Sequence, residues 1–178
     1  MERPAEANDR SQFGHYECDL LCFSRQRGVV LQIVERKTKF GAVARVPSKN
    51  ADAAADALSS ILDGLKAKNT LAVRSVTFDN GKEFAMHATV AEHASIKAFF
   101  CHPYSAFERG TVENANGILT RYLPRSADLS GLEQDELSDI RAEMNNRPMK
   151  VLGWLTPAEA FRKELLKPSH TQSVALHP

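Results

Sequence analysis

Between His15 and Ser48 the chain carries three strand-length apolar runs in direct succession, HYECDLLCF, GVVLQIVERKTKF and GAVARVPS. They are rich in valine and bounded by glycine, proline or serine, which predicts consecutive antiparallel strands forming a meander. The next segment supplies a cover for that sheet. In NADAAADALSSILDGLKAK, the residues Ala54, Ala57, Leu58, Ile61, Leu62 and Leu65 recur at three- and four-residue spacings, so one face of a helix is apolar, and Ser48 or Asn50 can cap it.

A fourth strand, LAVRSVTF, a helix through EFAMHATVAEHA and a fifth strand, SIKAFF, follow. Strands that alternate with helices after a meander imply a mixed sheet with helices on its faces, an α/β class. TVENANGILTRYL and LEQDELSDIRAEMNN read as further helices. TPAEAFRKELL opens with Thr156, Pro157 and Glu159, a capping box with proline at the first helical position.

At 178 residues and 43% hydrophobic, the chain is long enough for one ordinary domain and too apolar for disorder. Residues 1–13 read as a flexible leader, 14–166 as one domain and 167–178 as a tail. No apolar run reaches the length of a membrane span and the polar N-terminus lacks a signal sequence, so a cytoplasmic protein without a membrane partner is expected. Cys18, Cys22 and Cys101 lack CxxC spacing and read as reduced core residues. His87 and His93 lie six apart and do not share a helix face, which argues against zinc. The formal charge of +1, from 23 basic and 22 acidic residues, neither advertises nor excludes nucleic acid.

Three acids stand in unusual places. Asp19 interrupts the first strand beside LLCF, where an unpaired carboxylate is costly. Asp79 ends the fourth strand, where α/β sheets place ligand sites, and Asn80 and Gly81 let the chain turn sharply after it. Glu113 opens the helix of TVENANGIL. Each has a plainer reading, Asp79 as a turn residue and Glu113 as a first-turn acid favoured by the helix dipole. Together they are the ingredients of an oxygen-ligand site for two Mg²⁺ or Mn²⁺ ions, which about 3.5–4 Å apart stabilise the attacking and leaving oxygens of a phosphodiester.

The motifs FGHYECDL, VERKTKF, TFDNGKEFAMH, HPYSAFERGTVENANGILTRYLP and NNRPMKVLGWLTPAEAF occur in this order. Over roughly residues 12–166 the chain closely resembles the catalytic, integrase-core region of bacterial insertion-sequence transposases of the IS-thirty family, within the retroviral-integrase-like group. The resemblance implies a ribonuclease-H-like fold, with a five-stranded mixed sheet of three antiparallel and then two parallel strands flanked by helices. It places the family's acidic triad on Asp19, Asp79 and Glu113, with 33 residues between the last two. Cys18, His102, Ala106, Phe107 and Val112 depart from the family pattern, and none of these changes removes a metal ligand.

What the resemblance implies is divalent-metal-dependent cleavage and joining of DNA, with two Mg²⁺ or Mn²⁺ ions held by Asp19, Asp79 and Glu113. The partners would be the element's ends and target DNA, handled by a homo-oligomer. Lys82, Arg109, Asn116 and Arg121 are candidate DNA-backbone contacts, and Arg36, Lys37 and Lys39, with Arg45 and Lys49 nearby, form a candidate basic patch. Glu83 reads as a helix-start residue and Trp154 as a core anchor of the C-terminal helix. The family's N-terminal helix-turn-helix domain is expected to be absent, which predicts weak recognition of element ends. The competing expectations are a nuclease without strand transfer and a non-catalytic remnant that binds DNA or a partner transposase.

Overall fold

The three N-terminal runs form the expected meander. A computed structural model describes residues 3–23, 28–69, 72–102 and 109–167. In it β1 (His15–Phe23) pairs antiparallel with β2 (Gly28–Glu35), and β2 pairs antiparallel with β3 (Gly41–Val46). The short strands β4 (Ser75–Phe78) and β5 (Lys97–Phe100) then join in parallel on the other side of β1, giving the order β3-β2-β1-β4-β5. β1 is therefore central, and Tyr16 is opposite both Glu35 of β2 and Val76 of β4. A strand enclosed on both edges and both faces reads as nearly continuous apolar sequence, which is why Glu17 and Asp19 stand out in it.

Alternation along β1 sorts the two faces of the sheet. Tyr16 and Cys18, with Leu31 and Ile33, pack beneath α2 (Ala51–Lys66), whose Ala54, Leu58, Leu62 and Leu65 form the apolar stripe. Of the two candidate caps, Asn50 is the one used, its side chain accepting from the Ala53 N–H at 2.8 Å. Leu58 and Leu62 are buried, and each contributes about 1.5–3 kcal/mol relative to exposure. Leu21, Phe23 and Val30 face the opposite way, onto Leu119 and Leu123 at the end of α4 (Gly110–Tyr122) and Leu137 and Met144 of α5 (Gln134–Asn145).

Gly41 is dictated by α5. The Arg141 guanidinium fills the space beside it, so that a Cβ there would lie 1.8 Å from Nη2. Asn145 completes the join, accepting from the Gly41 N–H at 3.0 Å and donating to its carbonyl at 2.9 Å.

Several expectations are corrected. The helix expected through EFAMHATVAEHA divides into a 3-10 turn, Lys82–Phe84, and α3 (His87–His93), and the tighter turn brings Phe84 onto the Phe78 ring at 4.9 Å. The segment read as a flexible leader contains a one-turn helix, α1 (Ala5–Asn8), with Ala7 buried, and Phe13 packs on the core. Trp154 does not anchor α6 (Pro157–Leu165). It is 69% exposed and follows Gly153 in a left-handed turn with φ of 69°, while Phe161 stacks on Phe40 at 4.2 Å and meets Phe13 edge-on at 5.2 Å. Ala106, Phe107 and the tail beyond Lys167 lie outside the described residues. Among the described residues no helix is long and apolar enough to cross a membrane.

His15 opens β1 and ties it to its surroundings. In the neutral ring, Nδ1 accepts from the Ser75 hydroxyl at 2.7 Å and Nε2–H donates to Gln12 Oε1 at 2.8 Å. Burial, then the charges of Arg74, Arg36 and Arg3, lower its pKa from 6.5 to about 4. Between those values the unfolded chain holds the extra proton, so stability present above pH 6.5 is lost as pH falls toward 4. Urea titrations should show a decline across that window of at most about 3 kcal/mol, reduced by solvent screening and flattened in His15→Gln. An equally steep decline in the variant would contradict this role.

Candidate active site

Asp19 and Asp79 come from neighbouring parallel strands, and one guanidinium joins them. Arg109, at the N-terminal cap of α4, donates to Asp19 Oδ1 at 3.0 Å through Nη1 and lies 3.4 Å from Asp79 Oδ2 through Nη2. The turn after β4 holds the other oxygen of Asp79, since Oδ1 accepts from the Gly81 N–H at 2.9 Å, the self-capped turn that Asp-Asn-Gly favours. Asn80 donates to the Cys101 carbonyl at 3.2 Å and fixes that turn to the end of β5. Burial alone would weaken the Arg109 charge, but Asp19, its hydrogen bond and Asp79 outweigh it and raise the guanidinium pKa.

The second oxygen of Asp19 is held by a buried polar chain. Asn116 Nδ2 donates to Asp19 Oδ2 at 2.5 Å, Gln32 Nε2 donates to Asn116 Oδ1 at 2.6 Å, and Arg141 Nη1 donates to Gln32 Oε1 at 3.0 Å. Gln32 is the residue opposite Asp19 in the β1–β2 register, so strand pairing sets the chain's middle link. The relay connects α5, β2, α4 and β1, and every amide in it has one consistent orientation.

One more carboxylate holds α4 against β1. Glu17 is fully buried, receives Arg36 Nη1 at 2.6 Å on Oε1 and accepts from the Val112 N–H at 2.8 Å on Oε2. Val112 is in the first turn of α4, where N–H groups lack helical partners and an acid is favoured. Glu35 secures the adjoining turn, accepting from the N–H groups of Gly14, Lys37 and Thr38 and from the Thr38 hydroxyl.

Glu113 is exposed on α4, and its place in the helix is informative. Arg109, Glu113 and Asn116 follow the spacing i, i+4, i+7 and so share one stripe, whose two ends both bond Asp19. Among the described residues, no three His, Cys, Asp or Glu side chains are gathered closely enough to share an ion. The structure therefore joins two of the three acids directly and leaves the third on the adjoining helix face.

The other candidates are redistributed. Arg109 and Asn116 turn inward onto the acids, Arg109 spanning Asp19 and Asp79 and Asn116 holding Asp19. Arg36 is 3% exposed and bound to Glu17, and Lys39 donates to the Arg36 carbonyl, so the RKTK turn points much of its charge inward. Lys37 pairs with Glu164 at 3.1 Å, Lys49 with Glu83 at 3.3 Å, and Arg45 grips the carbonyls of Ser130 and Leu132. Lys82 is exposed two residues beyond Asn80. Arg121 belongs to the opposite flank of α4. Cys18, beside Asp19, is buried, and that burial, then Asp19 and Asp79, push its thiol pKa well up, so it offers no thiolate.

Glu17, Gln32 and Arg141 escaped the sequence reading. Glu17 precedes Asp19 by two in an otherwise apolar strand, so the same face carries both acids, and Gln32 interrupts VVLQIV; those were the available signals. Nothing comparable marks Arg141 on its charged helix.

No family model matches the chain. It is 35% identical over 167 residues to the transposase for insertion sequence element IS1086 of Cupriavidus metallidurans, a match covering 94% of this chain and 48% of that protein. It is 36% identical over 162 residues to the IS4351 transposase of Bacteroides fragilis, covering 91% and 48%. Transposase InsI of IS30A from Escherichia coli is 32% identical over 162 residues, covering 91% and 41%. The catalytic core domain of BIV integrase superposes with a TM-score of 0.66 at 20% identity, over 86% of this chain and 96% of that one. A chain of the simian T-cell lymphotropic virus intasome in complex with the PP2A regulatory subunit B56γ gives 0.68 at 16%, over 93% and 57%.

The fold is thus the ribonuclease-H-like fold of retroviral integrase catalytic cores. Over nine-tenths or more of its length the chain is homologous to insertion-sequence transposases, one of IS30 among them, and it spans about half the length of the curated relatives it matches.

The Glu17 contact is open to a direct test. Glu17→Gln keeps an acceptor for the Val112 N–H but removes the carboxylate charge that faces the buried Arg36 guanidinium at 2.6 Å. Urea denaturation should register a loss of about 3–5 kcal/mol. A change below about 1 kcal/mol would show that the buried pair does not hold α4 in place.

Proposed function

We propose that the chain is the catalytic domain of a DDE transposase, performing divalent-metal-dependent cleavage and strand transfer on DNA. The observation that carries this reading is the pair Asp19 and Asp79, drawn from adjacent parallel strands onto a single cation at 3.0 and 3.4 Å. Two carboxylates that share one positive charge form an oxygen-rich site suited to a hard cation, Mg²⁺ or Mn²⁺, rather than a thiophilic one. Asp19 and Asp79 would hold such ions jointly and Glu113 would complete the set. Arg109 and a divalent ion compete for the same two carboxylates, so loading the site requires the guanidinium to withdraw.

When bound, a pair of such ions supplies an activated nucleophile and stabilises the oxygen that leaves. The chain's own residues do the positioning. Asn116 fixes the Oδ2 edge of Asp19, the Gly81 N–H fixes the Oδ1 edge of Asp79, and Glu17 keeps the first turn of α4 against β1. Lys82, exposed just after the Asp79 turn, is the proposed contact to a DNA phosphate. Joining two element ends to a target calls for more than one copy, and the relatives' name as transposases supports element ends and target DNA as the substrates.

Asp79→Asn keeps the acceptor for the Gly81 N–H and removes the charge. Supplied with a pre-cut DNA end and Mn²⁺, the protein should yield joined products, and the variant should lose them by more than about a hundredfold, the upper range for losing a mere supporting contact at a metal site. Joining that persists in the variant would overturn the acid-pair reading. Cleavage without joining would overturn strand transfer in favour of a nuclease.

A further inference from the structure

The flank of α4 turned away from the acid pair lines a cavity of about 490 Å³, within the roughly 300–1,000 Å³ range of ligand pockets. Thr111, Asn114, Ala115, Ile118 and Arg121 form its α4 wall, a stripe on the opposite side of the helix from Arg109, Glu113 and Asn116. Among the described residues, six basic ones line it, Arg10, Lys39, Arg121, Arg141, Arg147 and Lys150, and no acid does. In a chain with 23 basic and 22 acidic residues, that segregation is not a reflection of average composition.

Among the described residues none of the six forms an ion pair. Arg141 is 5% exposed, so a full charge is buried with only the Gln32 and Lys39 oxygens and the Met144 sulfur near it, and desolvation lowers its pKa to about 10. Its Nε–H has no partner, and neither has the buried hydroxyl of Thr111. Burial and then Arg10 lower the Lys39 pKa to about 8, against the opposing pull of the Glu17 and Glu35 carboxylates. A buried cation without a counter-charge is costly, and the cavity provides room for one.

We infer that this cavity binds a phosphate group, presented either by a nucleic-acid strand or by a free phosphate compound. Six cations around one small volume call for more than a single negative charge, which a free phosphate compound supplies on one group and a nucleic-acid strand supplies as successive phosphodiesters of one charge each, whereas one carboxylate does not. Four of the six are arginines, whose planar forks match phosphate oxygens two at a time. Arg10, Arg121, Arg147 and Lys150 are exposed at the mouth and Arg141 lies at its buried end. The cavity lies across α4 from the acid pair and shares with it only the relay that begins at Arg141, so a strand held there would be gripped on the far side of the helix that carries Glu113.

The test is calorimetric titration of the whole chain in EDTA, with sodium pyrophosphate in one arm and a 12-nucleotide single strand in the other. Arg121→Ala/Arg147→Ala removes two exposed cations from the cavity, and Arg162→Ala/Lys163→Ala removes the same charge from α6, which does not line it. Pyrophosphate binding that weakens at least about tenfold per cavity cation, and not in the α6 variant, supports a free phosphate ligand. The same pattern with the oligonucleotide alone, its salt dependence falling by about two ions, supports a nucleic-acid backbone. Equal losses in both variants, no binding in either arm, or binding of an acidic peptide in place of both ligands would overturn the inference. Thermal melts of both variants should match the parent. Asp79→Asn should bind as the parent does, so failure of the catalytic reading would leave this result standing.

Discussion

The buried carboxylate of Glu17 is the contact on which the arrangement of the site depends. It comes from the central strand, satisfies the first turn of α4 through the Val112 N–H and neutralises Arg36, whose turn links β2 to β3. Remove it and the helix bearing Arg109, Glu113 and Asn116 loses the tie from its own backbone to the strand bearing Asp19, and only the long side chains of Arg109 and Asn116 still reach that strand. Apolar contact alone would still hold Leu119 and Leu123 at the other end of α4, but it is non-directional and would not fix rotation of the helix about its axis. Hydrogen bonds with one permitted geometry do fix it.

The relay from Arg141 through Gln32 and Asn116 to Asp19 extends the same principle. Each link is a side chain on a different element, so the orientation of one carboxylate is set by four elements at once. Such a network is costly if half-satisfied, and it requires the absence of a side chain at Gly41 to let Arg141 in. The same α4 helix therefore has two chemically opposite flanks. One faces paired acids bridged by Arg109, and the other faces a cavity lined by cations.

Much of the fold was legible because strand and helix periods are written in residue type. The nine residues of β1, the stripe of α2 and the Thr156 capping box all appear where the sequence places them. Asp19 and Asp79 were legible for a related reason, since a carboxylate in or at the end of an apolar strand needs a partner. What the sequence does not carry is the direction of long side chains across the fold. Arg36 in a basic run looks solvated until Glu17 is found beneath it, and Arg109 and Asn116 look like surface groups until Asp19 is placed opposite them. Trp154 misled because large aromatic residues usually bury, whereas here the left-handed turn after Gly153 turns the indole to solvent and Phe161 takes the anchoring place.

The central claim is that Asp19 and Asp79 form a divalent-cation site for which Arg109 is the competing charge. Anomalous diffraction at the manganese edge from crystals grown with millimolar Mn²⁺ tests it most directly. The account predicts an anomalous peak between the two aspartates, with the Arg109 guanidinium displaced from both. A guanidinium still spanning Asp19 and Asp79, with no manganese between them, would contradict it.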